Sequence, residues 1–171
     1  MASRYKKHGI SFAYPERWDL AENLEPDQVT ISLSSPGTSF LTICLFQDRP
    51  DPAEVAEATL EAFRDEYTEL DIYPVKAKVG RRPAVAWDLE FFCLELTNSA
   101  RIRAFRAPRF TCLVLFQGTD QEFEKTEETF RKIARSIRCR GTAHDLPESD
   151  ETDSDDEEED IAGDVADDTD D

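Results

Sequence analysis

Apolar and polar residues alternate in short runs over the first fifty positions of the chain. Ile10–Tyr14 alternates and stops at Pro15, which reads as a strand. Trp18–Asn23 is a short second candidate. Gln28–Ser34 places Val29, Ile31 and Leu33 on one face, and Pro36-Gly37 then signals a turn. Ser39–Phe46 is apolar on both faces, with Phe40, Cys44 and Phe46 on one and Leu41, Ile43 and Leu45 on the other. The period then changes. Asp51 can cap a helix and Pro52 suits its first turn. Ala56, Leu60, Phe63, Tyr67 and Leu70 follow at spacings of three and four, forming one helical stripe. Strands are predicted again over Tyr73–Val79, Ala84–Leu96, Ala100–Ala107 and Phe110–Gln117. Thr119 or Asp120 caps a final helix with Phe123, Thr126, Phe130, Ile133, Ala134 and Ile137 on its apolar face.

The order ββββ-α-ββββ-α predicts an α+β domain with a mainly antiparallel sheet. Ser39–Phe46 and Phe110–Gln117 are apolar on both faces, which a sheet with one wet face does not need. They are therefore expected to be central, with the two helices on opposite faces.

Charge divides the chain in two. Residues 141–171 carry 16 of the 38 Asp and Glu and no Lys or Arg, so residues 1–140 hold the other 22 acids against all 20 bases. The body is near neutral and the tail carries the acidity. The domains expected are thus an α+β body over 1–140 and an acidic tail over 141–171. The tail is too polar and too charged to bury a core and is expected to be disordered. It serves either as a solubilising segment or as a lure for a basic partner.

No run is long enough to span a bilayer. Met1–Lys7 is basic and no apolar stretch follows it. A cytoplasmic protein is expected, with Cys44, Cys93 and Cys112 reduced inside apolar strands. His8 and His144 are the two histidines, and no His, Cys or carboxylate cluster has zinc spacing. The six glycines are isolated, so no phosphate-cradling loop or nucleophile elbow is present. Nothing predicts a cofactor or a catalytic group.

One constellation stands out. Arg81, Arg82, Arg101, Arg103, Arg106 and Arg109 make a candidate binding patch for an anionic ligand or nucleic acid. A structural reading competes and is preferred. Lys76 and Lys78, then Asp88 and Glu90, then Arg101 and Arg103 would form a charge ladder across three strands.

Gly9-Ile-Ser-Phe-Ala-Tyr-Pro-Glu-Arg-Trp18 resembles the opening strand of the Mog/PsbP-like superfamily, which includes DcrB-like and PsbP-like domains. Val79–Trp87 resembles its turn into the long central strand, Phe110–Phe116 its last core strand, and Phe123–Ile137 its closing helix. The resemblance implies an α/β/α sandwich and no catalytic residue. Members include photosystem extrinsic proteins, Ran-binding import factors and secretion chaperones, so function does not transfer with the fold. The working expectation is a non-enzymatic, adaptor- or chaperone-like protein-interaction module. Its expected partner is another protein of basic character, met through the domain surface or the acidic tail. The alternatives are an arginine-patch binder of nucleic acid or an anionic ligand, and an uncharacterised enzyme.

Overall fold

The structure is a computed structural model that describes residues 2–140. Ten strands and two helices run in the order β1 (Ala2–Lys7), β2 (Ile10–Pro15), β3 (Asp19–Glu25), β4 (Gln28–Ser34), β5 (Phe40–Phe46), α1 (Pro52–Glu66), β6 (Leu70–Val79), β7 (Arg82–Cys93), β8 (Leu96–Arg106), β9 (Thr111–Thr119), α2 (Asp120–Ser136) and β10 (Arg138–Cys139). Seven strands form one sheet in the order β3-β4-β5-β9-β8-β7-β6, and β1-β2-β10 form a second, smaller sheet. Every pairing is antiparallel.

The two strands that are apolar on both faces, β5 and β9, are neighbours in the middle of the large sheet. Leu41, Ile43 and Leu45 of β5 and Cys112, Val114 and Phe116 of β9 join one core, shared with α2 and the small sheet. Leu113 of β9 joins a second core on the opposite face, with Ala56, Leu60 and Phe63 of α1, and Cys44 and Phe46 pack against it. The helices therefore cover opposite faces. Phe130 stacks on Phe116 with ring centroids 4.6 Å apart. Phe63 meets Phe91 edge-on at 5.3 Å.

Local chemistry sets the helix ends. The Asp51 side chain accepts from the Ala53 amide at 2.9 Å, capping α1 as its sequence predicts. At the other end the Tyr67 amide donates to the Phe63 carbonyl, and Tyr67 itself is extended. The predicted stripe ran through Leu70, but Leu70 begins β6. Tyr67 still packs as the stripe requires, with its ring 4.3 Å from that of Phe91.

Two strands had no sequence signal. β1 buries only Tyr5, and its remaining residues are half-buried or exposed. It pairs with β2 through a two-residue turn, His8 and Gly9, both at positive φ. β10 is two residues long. The predicted strand Ala84–Leu96 is in fact broken. β7 stops at Cys93, and Leu94 and Glu95 turn the chain into β8 so that Cys93 faces Leu96. The expectation for residues 141–171 lies outside the described residues.

Because each helix depends on its own aromatic contact, Phe130→Ala and Phe63→Ala should each destabilise the domain by about 3–5 kcal/mol, the range for large-to-small core changes. Denaturant unfolding of the two variants measures this. A variant matching the parent would remove its helix from the core.

Candidate functional site

The six arginines singled out by sequence do not form one surface. Register separates them. Arg101 faces Asp88 directly across β7–β8, and Arg103 lies diagonally beyond it. Arg103 Nη1 donates to Asp88 Oδ1 at 3.0 Å, and Arg101 Nε lies 3.5 Å from Asp88 Oδ2. Arg101 also reaches Glu127 of α2 at 3.1 Å, and its guanidinium sits 4.6 Å from the centroid of the Phe123 ring. Arg103 is the most enclosed of these groups, and burial lowers its pKa while Asp88 opposes the shift. One carboxylate thus holds both arginines, and the α2 side chains close over them. These charges tie α2 to the sheet.

The predicted ladder is half right. Asp88 with Arg101 and Arg103 is as expected. Glu90 instead faces Ser99 and Asp71. Lys76 and Lys78 face Val85 and Pro83, an even-to-odd register that puts them on the sheet face opposite to Asp88. Ser99 finds a different acid, donating to Asp120 Oδ1 at 2.8 Å.

The other four arginines gather at one end of the large sheet. Arg82 Nη1 donates to the Arg106 carbonyl, and Arg106 Nη2 donates to the Arg49 carbonyl at 2.9 Å. Arg109 lies over the β1–β2 turn, close to Gly9. Arg81 sits with Arg82 at the rim of a cavity that Arg138 also lines.

The opposite end has the reverse character. Residues 65–75, 88–100 and 117–124 contain no Lys or Arg, and they meet where β7 turns into β8 and where α2 begins. Beneath this tip lies a depression of 490 Å³ walled by Glu69, Asp71, Glu90, Phe91, Phe92 and Thr97. Phe92 is 52% exposed, Leu96 50% and Leu94 90%, with Tyr73 on the neighbouring strand at 47%. Asp71 first, then desolvation and Glu90, raise the Tyr73 hydroxyl pKa. Leu94 and Glu95 hold φ of 53° and 65°. A left-handed non-glycine residue costs roughly 1–2 kcal/mol. A two-residue hairpin turn of type I′ requires positive φ at both positions, and here it holds an almost fully exposed leucine at its apex. Sequence reasoning missed it because the apolar run Phe91–Leu94 continues into Glu95 and Leu96 in strand-like alternation, with no Gly or Asn between them.

Among the described residues no group of three or more His, Cys, Asp or Glu could hold a metal ion, and no helix is long and apolar enough to cross a membrane. The four cysteines are free.

No family model matches the sequence, and no curated protein is similar to it in sequence. Solved structures are similar in fold. The Ran-binding protein Mog1p of Saccharomyces cerevisiae superposes with a TM-score of 0.56 at 9% identity, over 84% of this chain and 97% of that one. The chain has the Mog/PsbP-like fold. A Bacteroides thetaiotaomicron protein gives a TM-score of 0.55 at 12% identity over 81% of this chain, which spans 48% of the length of that protein. A type VI secretion immunity protein of Pseudomonas aeruginosa, solved with a bound peptide, gives 0.50 at 10% identity over 67% of this chain and 48% of its own. At such identities the likeness is one of fold and carries no residue of function across.

Asp88 is the shared partner of two enclosed guanidinium groups, so Asp88→Asn should cost about 1–3 kcal/mol, the penalty for stranding buried charged donors. Glu90→Gln, on the same strand and exposed, should stay within about 0.5 kcal/mol of the parent. Thermal denaturation of the pair separates the observed arrangement from the predicted ladder, in which both would matter.

Proposed function

We propose that this domain is a protein-binding module of the cytoplasm, without catalytic activity, whose docking surface is the acidic, apolar-tipped end formed by the β7–β8 hairpin. The observation that carries this reading is the exposure of Phe92, Leu94 and Leu96 on a turn that holds two non-glycine residues at positive φ. Large apolar side chains clustered on a monomer's surface mark contact sites, and aromatic anchors dominate the energetics of such contacts. The acids that line the depression with Phe92 select the partner's charge. The fitting partner is a basic segment with apolar side chains of its own. Its leucines or aromatics would cover Phe92, which shares a sheet face with Asp71 and Glu90, and reach Leu94 at the apex and Leu96 on the other face, while its Lys and Arg would meet Glu69, Asp71 and Glu90. The 16 acids of residues 141–171 favour the same sign of partner. The fold neighbours are consistent with this class of function: one is named for Ran binding and another was solved with a peptide.

The test uses a labelled peptide of alternating Lys and Leu and the full-length chain. Replacing Phe92, Leu94 and Leu96 together with Ser should weaken binding at least about tenfold, the loss expected of one interface anchor. Both proteins carry the same acidic tail, so the difference reports the hairpin tip alone. A Lys and Ser peptide should bind weakly to both. Binding should also fall between 0.1 M and 1 M salt, as the Debye length shortens from about 10 Å to about 3 Å. Equal affinity for parent and triple variant would overturn the reading. The strained turn gives an independent check. Replacing Leu94-Glu95 with Asn-Gly, the pair that type I′ turns prefer, should raise the melting temperature while weakening the peptide.

A further inference from the structure

Beside β6–β8, the end of the sheet opposite the hairpin tip is built from three stretches, residues 76–87, 101–116 and 129–140, that contain no Asp or Glu. The β6–β7 turn draws two of them together. The Gly80 amide donates to the Ala134 carbonyl at 2.8 Å, and Gly80 takes φ of 60°. A side chain there would collide with the Ile137 carbonyl. This contact seats the turn against the end of α2 and brings Arg81 and Arg82 beside Arg138. The three rim a cavity of 230 Å³ whose floor is Val79, Phe105 and Ile137.

The guanidinium groups of Arg82 and Arg138 are oriented by neutral oxygens. Arg138 Nη1 donates to the carbonyls of Arg135 and Ile137, each at 2.8 Å. Arg82 Nη1 donates to the carbonyl of Arg106 at 3.5 Å. Among the described residues no carboxylate forms an ion pair with Arg82, Arg106, Arg109 or Arg138, in contrast to Arg101 and Arg103 on the same sheet. Fixed forks without a neutralising acid suit an oxyanion, because guanidinium matches phosphate in a bidentate, charge-assisted geometry. The apolar floor adds a second requirement, an organic group to cover it.

We propose that this cavity binds a small phosphate monoester, with the phosphate held by Arg82 and Arg138 and the organic part resting on Val79, Phe105 and Ile137. The site is separate from the apolar hairpin tip and does not rest on the function proposed there. It replaces the broad arginine patch read from sequence with a pocket. Arg101 and Arg103 are excluded because Asp88 and Glu127 neutralise them, and Arg138, which the pattern did not single out, is included.

Cys139 supplies the readout. It lies on the cavity wall. Burial first raises its thiol pKa to about 12, with Arg82 and Arg138 pulling the other way. Its rate of alkylation by iodoacetamide, located by mass spectrometry in the full-length protein, should fall saturably with phenyl phosphate. Inorganic phosphate should act at higher concentration, and phenol should not act. Arg82→Gln with Arg138→Gln should weaken protection at least about tenfold, the loss expected for one charge-assisted hydrogen bond. Arg82→Lys, which keeps the charge and loses the fork, should fall between the parent and the double variant, and serves alone if the double variant does not fold. Arg64→Gln, on α1, should match the parent. Slowing by sodium chloride equal to that by phenyl phosphate at the same ionic strength would overturn the proposal. So would full protection in a folded double variant, or protection by a single-stranded oligonucleotide where phenyl phosphate gives none.

Discussion

The structure depends on β5 and β9, neighbouring strands that are apolar on both faces. A strand pair of this kind cannot leave either face wet without exposing a row of large apolar side chains, so each face must be covered. The chain has α1 for one face, and α2 with the small sheet for the other. Covering both faces uses most of the apolar surface of the helices. At the two ends of the sheet, turns rather than side-chain layers make the surface. The ends are then free to differ in charge, and they do. Beside β6–β8, one is built from segments without Lys or Arg and the other from segments without Asp or Glu.

Charge has two distinct uses in this domain, and geometry separates them. Between α2 and the sheet, Asp88 and Glu127 neutralise Arg101 and Arg103, and the Phe123 ring covers one of the guanidinium groups. Those groups are enclosed, so their pairing is a structural requirement. At the basic end, backbone carbonyls orient Arg49, Arg82, Arg106 and Arg138 without cancelling their charge. The first arrangement fixes a helix. The second leaves their positive charge in place. Residue type alone does not distinguish them, since both are arginines on strands or at strand ends.

The layers were legible in the sequence because burial leaves a period. Leu41, Ile43 and Leu45 against Cys44 and Phe46, and the stripes of α1 and α2, are direct records of which side chains leave water. The sites were less legible for three physical reasons. A ladder needs register, and no single strand contains it: Lys76 and Lys78 share a face with Val85 rather than with Asp88. An unconventional turn leaves no mark, so Leu94 and Glu95 read as the continuation of a strand although both sit at positive φ. A pocket assembled from distant turns depends on one close approach, Gly80 against the end of α2, that the spacing of residues cannot reveal. β1 was missed on simpler grounds, since Tyr5 is its one buried residue and its hydroxyl donates to Glu22 at 2.5 Å.

The central claim is that this protein meets its partners at the ends of its sheet and not on its helical faces. Backbone amide chemical shifts of the full-length protein, followed while the Lys and Leu peptide is added, test it most directly. Shifts should concentrate at Glu69–Tyr73 and Glu90–Thr97, with α1, α2 and the central strands β5 and β9 unmoved. Shifts centred on the exposed surface of either helix, with Phe92–Leu96 silent, would contradict it.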